Sequence, residues 1–202
     1  MKKLILPLFL LFALTNISCS VYQTIVNLSR LKFKLGRIDN LMVSGISLEG
    51  KTKLSDFNPL DILKLSSSVA SNKFPVSFTL NVEAKNPNDG TGGYARTNAT
   101  IVSFPWKLLI DDKETITGNL ANPVSVPGTG EITTIPIQMN VDLIKFFGDK
   151  GYESLINLAM SIAGEKGYSS RIALYAQPTV SSPLGNITYP GELKIVSKQF
   201  TN

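Results

Sequence analysis

The groups best placed to do chemistry in this 202-residue chain are the three acids of Asp111-Asp112-Lys113-Glu114. Two carboxylates can share acid and base work when their surroundings push their pKa values apart. Acids at spaced positions can also hold calcium. These three lack the spaced ligand pattern, and nothing around them in the sequence marks a setting that would raise a pKa. A solvated hairpin tip fits them better. The run Asp89-Gly90-Thr91-Gly92-Gly93 has the glycine content of a phosphate cradle, but no lysine or helical pattern follows it, so it reads as a flexible hairpin loop. Tyr94, Trp106 and Tyr189 are the aromatics that would serve a glycan platform if exposed. Histidine is absent, and cysteine occurs once, as Cys19. Ser-His-Asp and Cys-His catalysis, a histidine general base, a His/Cys zinc site and an intrachain disulfide are therefore excluded. No catalytic, cofactor-binding or metal-binding residue is expected. An enzyme built on this chain would have to work through two acids facing each other across a cleft.

Cys19 carries a different chemistry. Residues 1–18 read MKKLILPLFLLFALTNIS: two lysines, an apolar run from Leu4 to Leu14, then small and polar residues. These are the three regions of a secretory signal peptide, and the run is short for a membrane span. Its end abuts Cys19 and resembles a bacterial lipoprotein lipobox. Ser18 is then the small residue before the cut and Cys19 the lipidation site. Asn16 stands where leucine is usual, with Leu14 further upstream, a looser form familiar in Bacteroidetes-type bacteria. The plainer reading is a secreted protein in which Cys19 is incidental. Each buried acyl methylene contributes about 0.8 kcal/mol, so a diacyl or triacyl (palmitate-type) anchor is in effect permanent. Ser20, in place of aspartate, resembles outer-membrane sorting, and no acidic export cluster follows. The expected address is the cell envelope, lipid-anchored in the outer membrane and facing the periplasm.

Composition fits such an address. Charged residues make up 17% of the chain, and Ser, Thr, Asn and Gly are plentiful. The formal net charge of +5 falls to +3 once Lys2 and Lys3 leave with the leader. Arg30, Lys32, Lys34 and Arg37 form the one loose basic cluster. It reads first as a solvated face and second as a contact for anionic lipid headgroups. No basic stripe is interleaved with aromatics, so nucleic acid is not an expected partner.

The elements that must position these residues are mostly strands. In Phe74–Asn88, Val76, Phe78, Leu80, Val82 and Ala84 alternate with Ser77, Thr79, Asn81, Glu83 and Lys85. That predicts a strand with one buried and one wet face, begun at Pro75 and stopped by the turn Asn86-Pro87-Asn88-Asp89-Gly90. Similar patterns predict strands at 31–36 and 41–48, with Gly45 as a bulge. Others fall on either side of Phe104-Pro105, at 115–120, 131–141, 171–177 and 192–197. Asn58-Pro59 has the form of an N-cap and first helical residue, with Leu60, Ile62, Leu63 and Leu65 as one apolar face; a loop fits nearly as well. Asp142–Phe147 reads as a helical turn. Tyr152, Leu155, Ile156, Ala159, Ile162 and Ala163 fall at helical spacing and predict an amphipathic helix closed by Gly164.

Short strands, one late helix and Pro/Gly turns imply a mainly β protein, an antiparallel β-sandwich. Phe78–Asn88, FTLNVEAKNPN, resembles the signature strand of the late-embryogenesis-abundant type 2 (LEA2) family, also called the water-stress and hypersensitive-response (WHy) domain. Trp106–Ile110 before an acidic turn, Gly118, Val126-Pro127-Gly128-Thr129-Gly130, Ile135-Pro136-Ile137 and the closing run 183–190 follow in the family's order. The resemblance covers residues 37–197; 41–73 match poorly. It implies an immunoglobulin- or fibronectin-III-like sandwich of about seven strands with an inserted amphipathic helix. It implies no catalytic residues and no cofactor, and roles in stress protection and membrane association. The expected domains are a signal peptide at 1–18, an anchor and tether at 19–36 and the sandwich at 37–198. The expected function is a non-enzymatic lipoprotein for envelope stress protection or an interaction scaffold. The second reading is a binding module for a glycan or a partner envelope protein.

Overall fold

The computed structural model describes residues 30–51, 53–162, 172–182, 185–196 and 200–201. Cys19, its leader, Ala163, Gly164 and part of the closing run 183–190 lie outside the described residues. The chain is a mainly β, antiparallel sandwich with a small helical part. One layer has strand order β2-β1-β3-β8, formed by Ile46–Ser47 (β2), Lys32–Val43 (β1), Pro75–Lys85 (β3) and Ile132–Asp142 (β8).

β3 is the spine of this layer. It pairs with β8 along its whole length, from Pro75 opposite Asp142 to Lys85 opposite Ile132, without a register shift. Val76, Phe78, Leu80, Val82 and Ala84 are all buried, as the alternation predicts. On the other face Asn81 is buried too, because β1 bulges over it. The expected boundary at residue 37 falls inside a strand. Leu31, Phe33 and Leu35 are already core, and the two strands expected at 31–36 and 41–48 are largely one. β1 slips register after Leu35 and after Asp39, which inserts Gly36-Arg37 and Asn40-Leu41 as bulges. Gly45 is not a bulge. Ser44 and Gly45, at φ 49° and 74°, form the two-residue turn that pairs Val43 with Ile46.

The second layer is assembled from eight short segments. Ala99–Ser103 (β4), Val124–Val126 (β7), Thr179–Ser182 (β10) and Gly185–Thr188 (β11) form one ladder in the order β11-β10-β4-β7. Trp106–Ile110 (β5), Lys113–Gly118 (β6), Ile172–Ala176 (β9) and Leu193–Ile195 (β12) form another, β12-β9-β5-β6. The two orders match position by position. β4 runs on into β5, β6 into β7, β9 into β10 and β11 into β12, so the ladders are halves of one four-stranded sheet creased across its middle. A proline stands at every break: Pro105, Pro123, Pro178 and Pro190. Without an N–H, proline cannot carry a ladder through. The crease stays bonded by other means. Gln177 N–H donates to the Pro105 carbonyl at 3.0 Å, and Tyr189 N–H to the Pro178 carbonyl at 2.9 Å. The Asn119 carboxamide oxygen accepts from Phe104 N–H at 2.7 Å. Among the described residues, counting each creased strand once, the sandwich has seven full strands plus the two-residue β2.

Phe33 of β1 meets Phe104 at the crease with ring centroids 5.6 Å apart, tying the two layers together. The helices close one end. Asn58 caps Pro59–Ala70 (α1), accepting from Asp61 N–H at 2.8 Å, while the Asp61 carboxylate accepts from Asn58 N–H. Asp142 caps the short Leu143–Phe147 (α2) and accepts from Phe74 N–H at 2.8 Å. Tyr152–Ile162 (α3) buries Leu155, Ile156, Leu158, Ala159, Met160 and Ile162.

Gly118 faces Trp106 across β6 and β5, and a Cβ there would lie 2.4 Å from the indole Cζ2. Gly118→Ala is expected to cost about 1–3 kcal/mol by overpacking. In a Trp106→Leu background the same change should be close to neutral. Urea unfolding of the double-mutant cycle reads the difference.

Candidate functional site

The turn that ends β3 is more than a stop signal. Asn86 is fully buried and Asn88 nearly so. The Asn86 carboxamide donates to the Thr97 carbonyl at 2.8 Å and to the Val126 carbonyl at 3.0 Å, and its oxygen accepts from Asn88 N–H at 3.1 Å. Its main-chain carbonyl accepts from Gly130 N–H at 3.2 Å, and that of Asn88 from Thr97 N–H at 3.1 Å. One residue, through its side chain and its main-chain carbonyl, thus binds the end of β3, the lead-in to β4, the end of β7 and the approach to β8. Gly128 packs so tightly here that a Cβ would lie 2.5 Å from the Asn88 carbonyl oxygen and 2.6 Å from that of Thr97. This explains the glycine of Val126–Gly130 in physical terms.

The same node receives the chain where it enters the sheet. Arg30 donates to Asn88 Oδ1 at 2.9 Å and stacks on the Tyr94 ring at 3.6 Å from its centroid. Asp89 accepts from the Thr91 hydroxyl and N–H; these bonds hold its carboxyl below the usual carboxylate range, with the Arg30 charge adding a smaller push. The glycine-rich run is thus a turn organised by Asp89, with Gly90, Gly92 and Gly93 all at positive φ. The rest of the basic cluster is mostly paired: Lys34 with Glu83 at 2.9 Å and Arg37 with Asp39 at 3.0 Å.

The sequence-predicted aromatics do not come together as a platform. Trp106 and Tyr189 are buried, and only Tyr94, under Arg30, is exposed. The condition of exposure is thus met by Tyr94 but not by Trp106 or Tyr189; strand alternation puts Trp106 on the core face of β5. Burial pushes the Tyr189 phenol well above its ordinary range, and Leu31 N–H is hydrogen-bonded to it. Asp111 and Asp112, at φ 50° and 60°, form the two-residue turn that pairs Ile110 with Lys113, a hairpin tip as predicted. Among the described residues no three His, Cys, Asp or Glu side chains gather as a metal site would need. No described helix is long and apolar enough to cross a membrane.

Surface hollows open at two further places among the described residues. One, of about 510 Å³, opens beside the β1 bulges between Arg37, Asp39, Asn40 and Glu49. Beneath it Asn81 donates to the Arg37 carbonyl at 3.0 Å and to Asp39 at 2.8 Å, holding the bulge in shape. The other, of about 520 Å³, lies on α1 between Leu60, Leu63, Lys64, Ser67 and Lys73. Here the helix departs from expectation. Leu60 and Leu63 are 76% and 66% exposed while Leu65 is buried. At 100° per residue Leu60 and Leu63 share a face that Leu65 does not. Hydrophobicity alone cannot tell which face meets the core.

No family model matches the chain, and no curated protein matches it. Among solved structures, a candidate late embryogenesis abundant (LEA) protein is similar over 92% of this chain and 90% of its own, at 16% identity and TM-score 0.38. A protein from Arabidopsis thaliana is similar over 83% of each chain, at 15% identity and TM-score 0.32. A protein from Archaeoglobus fulgidus is similar over 62% of this chain and 87% of its own, at 11% identity and TM-score 0.30. Likenesses at these scores and identities bear on neither family nor function.

Asn86→Ala leaves the Thr97 and Val126 carbonyls without their partner and is expected to cost about 2–4 kcal/mol in chemical unfolding, against about 1 kcal/mol or less for Arg30→Ala. A second outcome concerns pH. The folded protein keeps the Tyr189 proton where the unfolded chain, with a phenol near 10, has lost it. Stability from this group is whole below about pH 10 and drains away as pH rises beyond it. Thermal melts of Tyr189→Phe should therefore fall less steeply above that pH than those of the parent.

Proposed function

We propose that this chain is a non-enzymatic, membrane-anchored lipoprotein whose LEA2-like sandwich serves envelope stress protection or acts as an interaction scaffold. The observation that carries the reading is the leader ending at Cys19, the only cysteine, eleven residues before Arg30. Eleven residues span at most about 40 Å, so a lipidated Cys19 keeps the sandwich close to its bilayer. Outer-membrane residence on the periplasmic face rests on Ser20 and the lack of an acidic export cluster. The LEA2-like assignment rests on the order of sequence motifs. Asn86-Pro87-Asn88 and Val126–Gly130, two of those motifs, meet in one node, which gives them a shared physical task.

The scaffold role is favoured over a glycan platform because two of the three aromatics are core. The exposed Leu60 and Leu63 beside Lys64 on α1 are the contacts we assign to a partner envelope protein. Catalysis has little to work with: histidine is absent and the acids of the Asp111–Glu114 turn sit at a hairpin tip.

The test is metabolic labelling with a palmitate analogue in a lipoprotein-processing bacterium, followed by membrane fractionation. Labelled, membrane-bound parent and unlabelled, soluble Cys19→Ala protein are expected. Equal soluble export of both would overturn the anchor. Deletion of the gene is expected to lower survival after osmotic or drying stress, with rescue by the parent.

A further inference from the structure

The basic residues of 30–37 do not act as one group. Lys34 and Arg37 are paired with acids, and Arg30 is bound to Asn88 and stacked on Tyr94. Lys32 is exposed. Across the sheet from it stands a second lysine. Lys32 opens β1, Lys85 closes β3 and Ile132 opens β8, and register sets the three in one row. Phe33 and Ala84 fill the core, so Lys32, Lys85 and Ile132 stand on the outer face. Among the described residues neither lysine has an ion pair. Like charges directly opposite on neighbouring strands destabilise a sheet. Ile132, 53% exposed, adds little to the core. Nothing in the packing of the sandwich calls for such a row.

The row lies at the end where the chain enters, two residues after Arg30. The loop that follows β3 folds back over the same end. Thr97 N–H donates to the Asn88 carbonyl, and Gly90 lies against the exposed Arg96. The acids here are already engaged: Glu83 with Lys34, Asp89 with Thr91 and Glu131 with the Thr129 hydroxyl. Among the described residues, Arg30, Lys32, Lys34, Lys85 and Arg96 outnumber them. Ile132 and Tyr94 add exposed apolar surface. α1 leads into β3 at Pro75, the opposite end of an eleven-residue strand.

We infer that this end of the sandwich docks on the anionic headgroups of the bilayer that holds Cys19. The inference rests on the anchor proposed above and says which way the anchored domain faces. The tether alone lets the sandwich stand up to about 40 Å from the lipid, well beyond the roughly 10 Å reach of surface charge at moderate salt. Because the tether enters the sheet two residues before Lys32, this is the end it keeps near the membrane. Each lysine close to an anionic leaflet raises partitioning about fivefold, so the row draws the domain down onto the surface. Ile132 then meets the headgroup layer instead of water. A free polyanion would satisfy the lysines but would have no use for Ile132. α1, joined at the far end of β3, is left open to a partner protein.

The test uses the mature chain with Cys19→Ser, which carries no acyl group, so failure here and failure of palmitate labelling are separate results. Vesicles of phosphatidylcholine with phosphatidylglycerol should carry the protein upward in flotation at low salt. Vesicles of phosphatidylcholine alone should not. Lys32→Gln with Lys85→Gln should lower partitioning at least about tenfold. Lys145 and Lys150 are exposed at the other end of the sandwich. Changing both to Gln removes equal charge and should alter partitioning less than about twofold. Lys32→Glu sets opposite charges across β1 and β3, which favours the fold, and should still abolish binding; it keeps the test sound if the double variant misfolds. Thermal unfolding should stay level or rise in both row variants. Equal binding to the two vesicles, indifference to Lys32→Glu, or equal loss from the Lys145 and Lys150 pair would overturn the assignment. So would capture by soluble polyphosphate in preference to vesicles.

Discussion

The structure depends on one buried carboxamide. Asn86 has no exposure to water, yet all its hydrogen-bonding capacity toward Thr97, Val126 and Asn88 is used. A buried amide without partners is costly, and one with a full set is highly directional. It can sit only where three separate stretches of backbone arrive at the right distance and angle. The close fit of Gly128 beside it belongs to the same constraint. Greasy packing alone would hold the two layers together in several arrangements; this node selects one.

The second layer shows a complementary solution. Long strands on both layers would give a stiff block, but four prolines at the same level divide this sheet into halves. The halves stay joined through main-chain bonds that avoid the missing donors and through Asn119, which accepts from both Phe104 and Leu120. The crease lets the sheet wrap the face formed by Phe33, Leu80 and their neighbours. Phe104, at the fold line, fills the space thus made against Phe33.

Much of this was legible in the residues. Alternation located β3 and β8 and their buried faces, and Asn58-Pro59 announced the cap of α1, because these signals are local. Where the structure departs from local pattern, a distant contact is the cause. Asn81 lies on the wet side of β3 by parity but is roofed by a bulge in β1, two strands' worth of sequence away. The four prolines could each be read as a break, but their alignment depends on strand order. Leu60 and Leu63 look like core residues because apolar content does not state which side of a helix has neighbours. By local pattern Asn86 belongs to a turn; its burial comes from residues 97 and 126, which no local pattern links to it.

The way β1 joins the sheet has a mechanical consequence. The chain reaches the sandwich at Arg30 and at once runs antiparallel to β3 from Lys32 onward, with Thr201 bonded along its outer side at Phe33. A pull on the preceding residues along the strand axis would load these bonds in shear, many together, rather than peeling them apart singly. The stacked Arg30 would be first to feel such a pull. Force applied along β1 from its start therefore meets these bonds together.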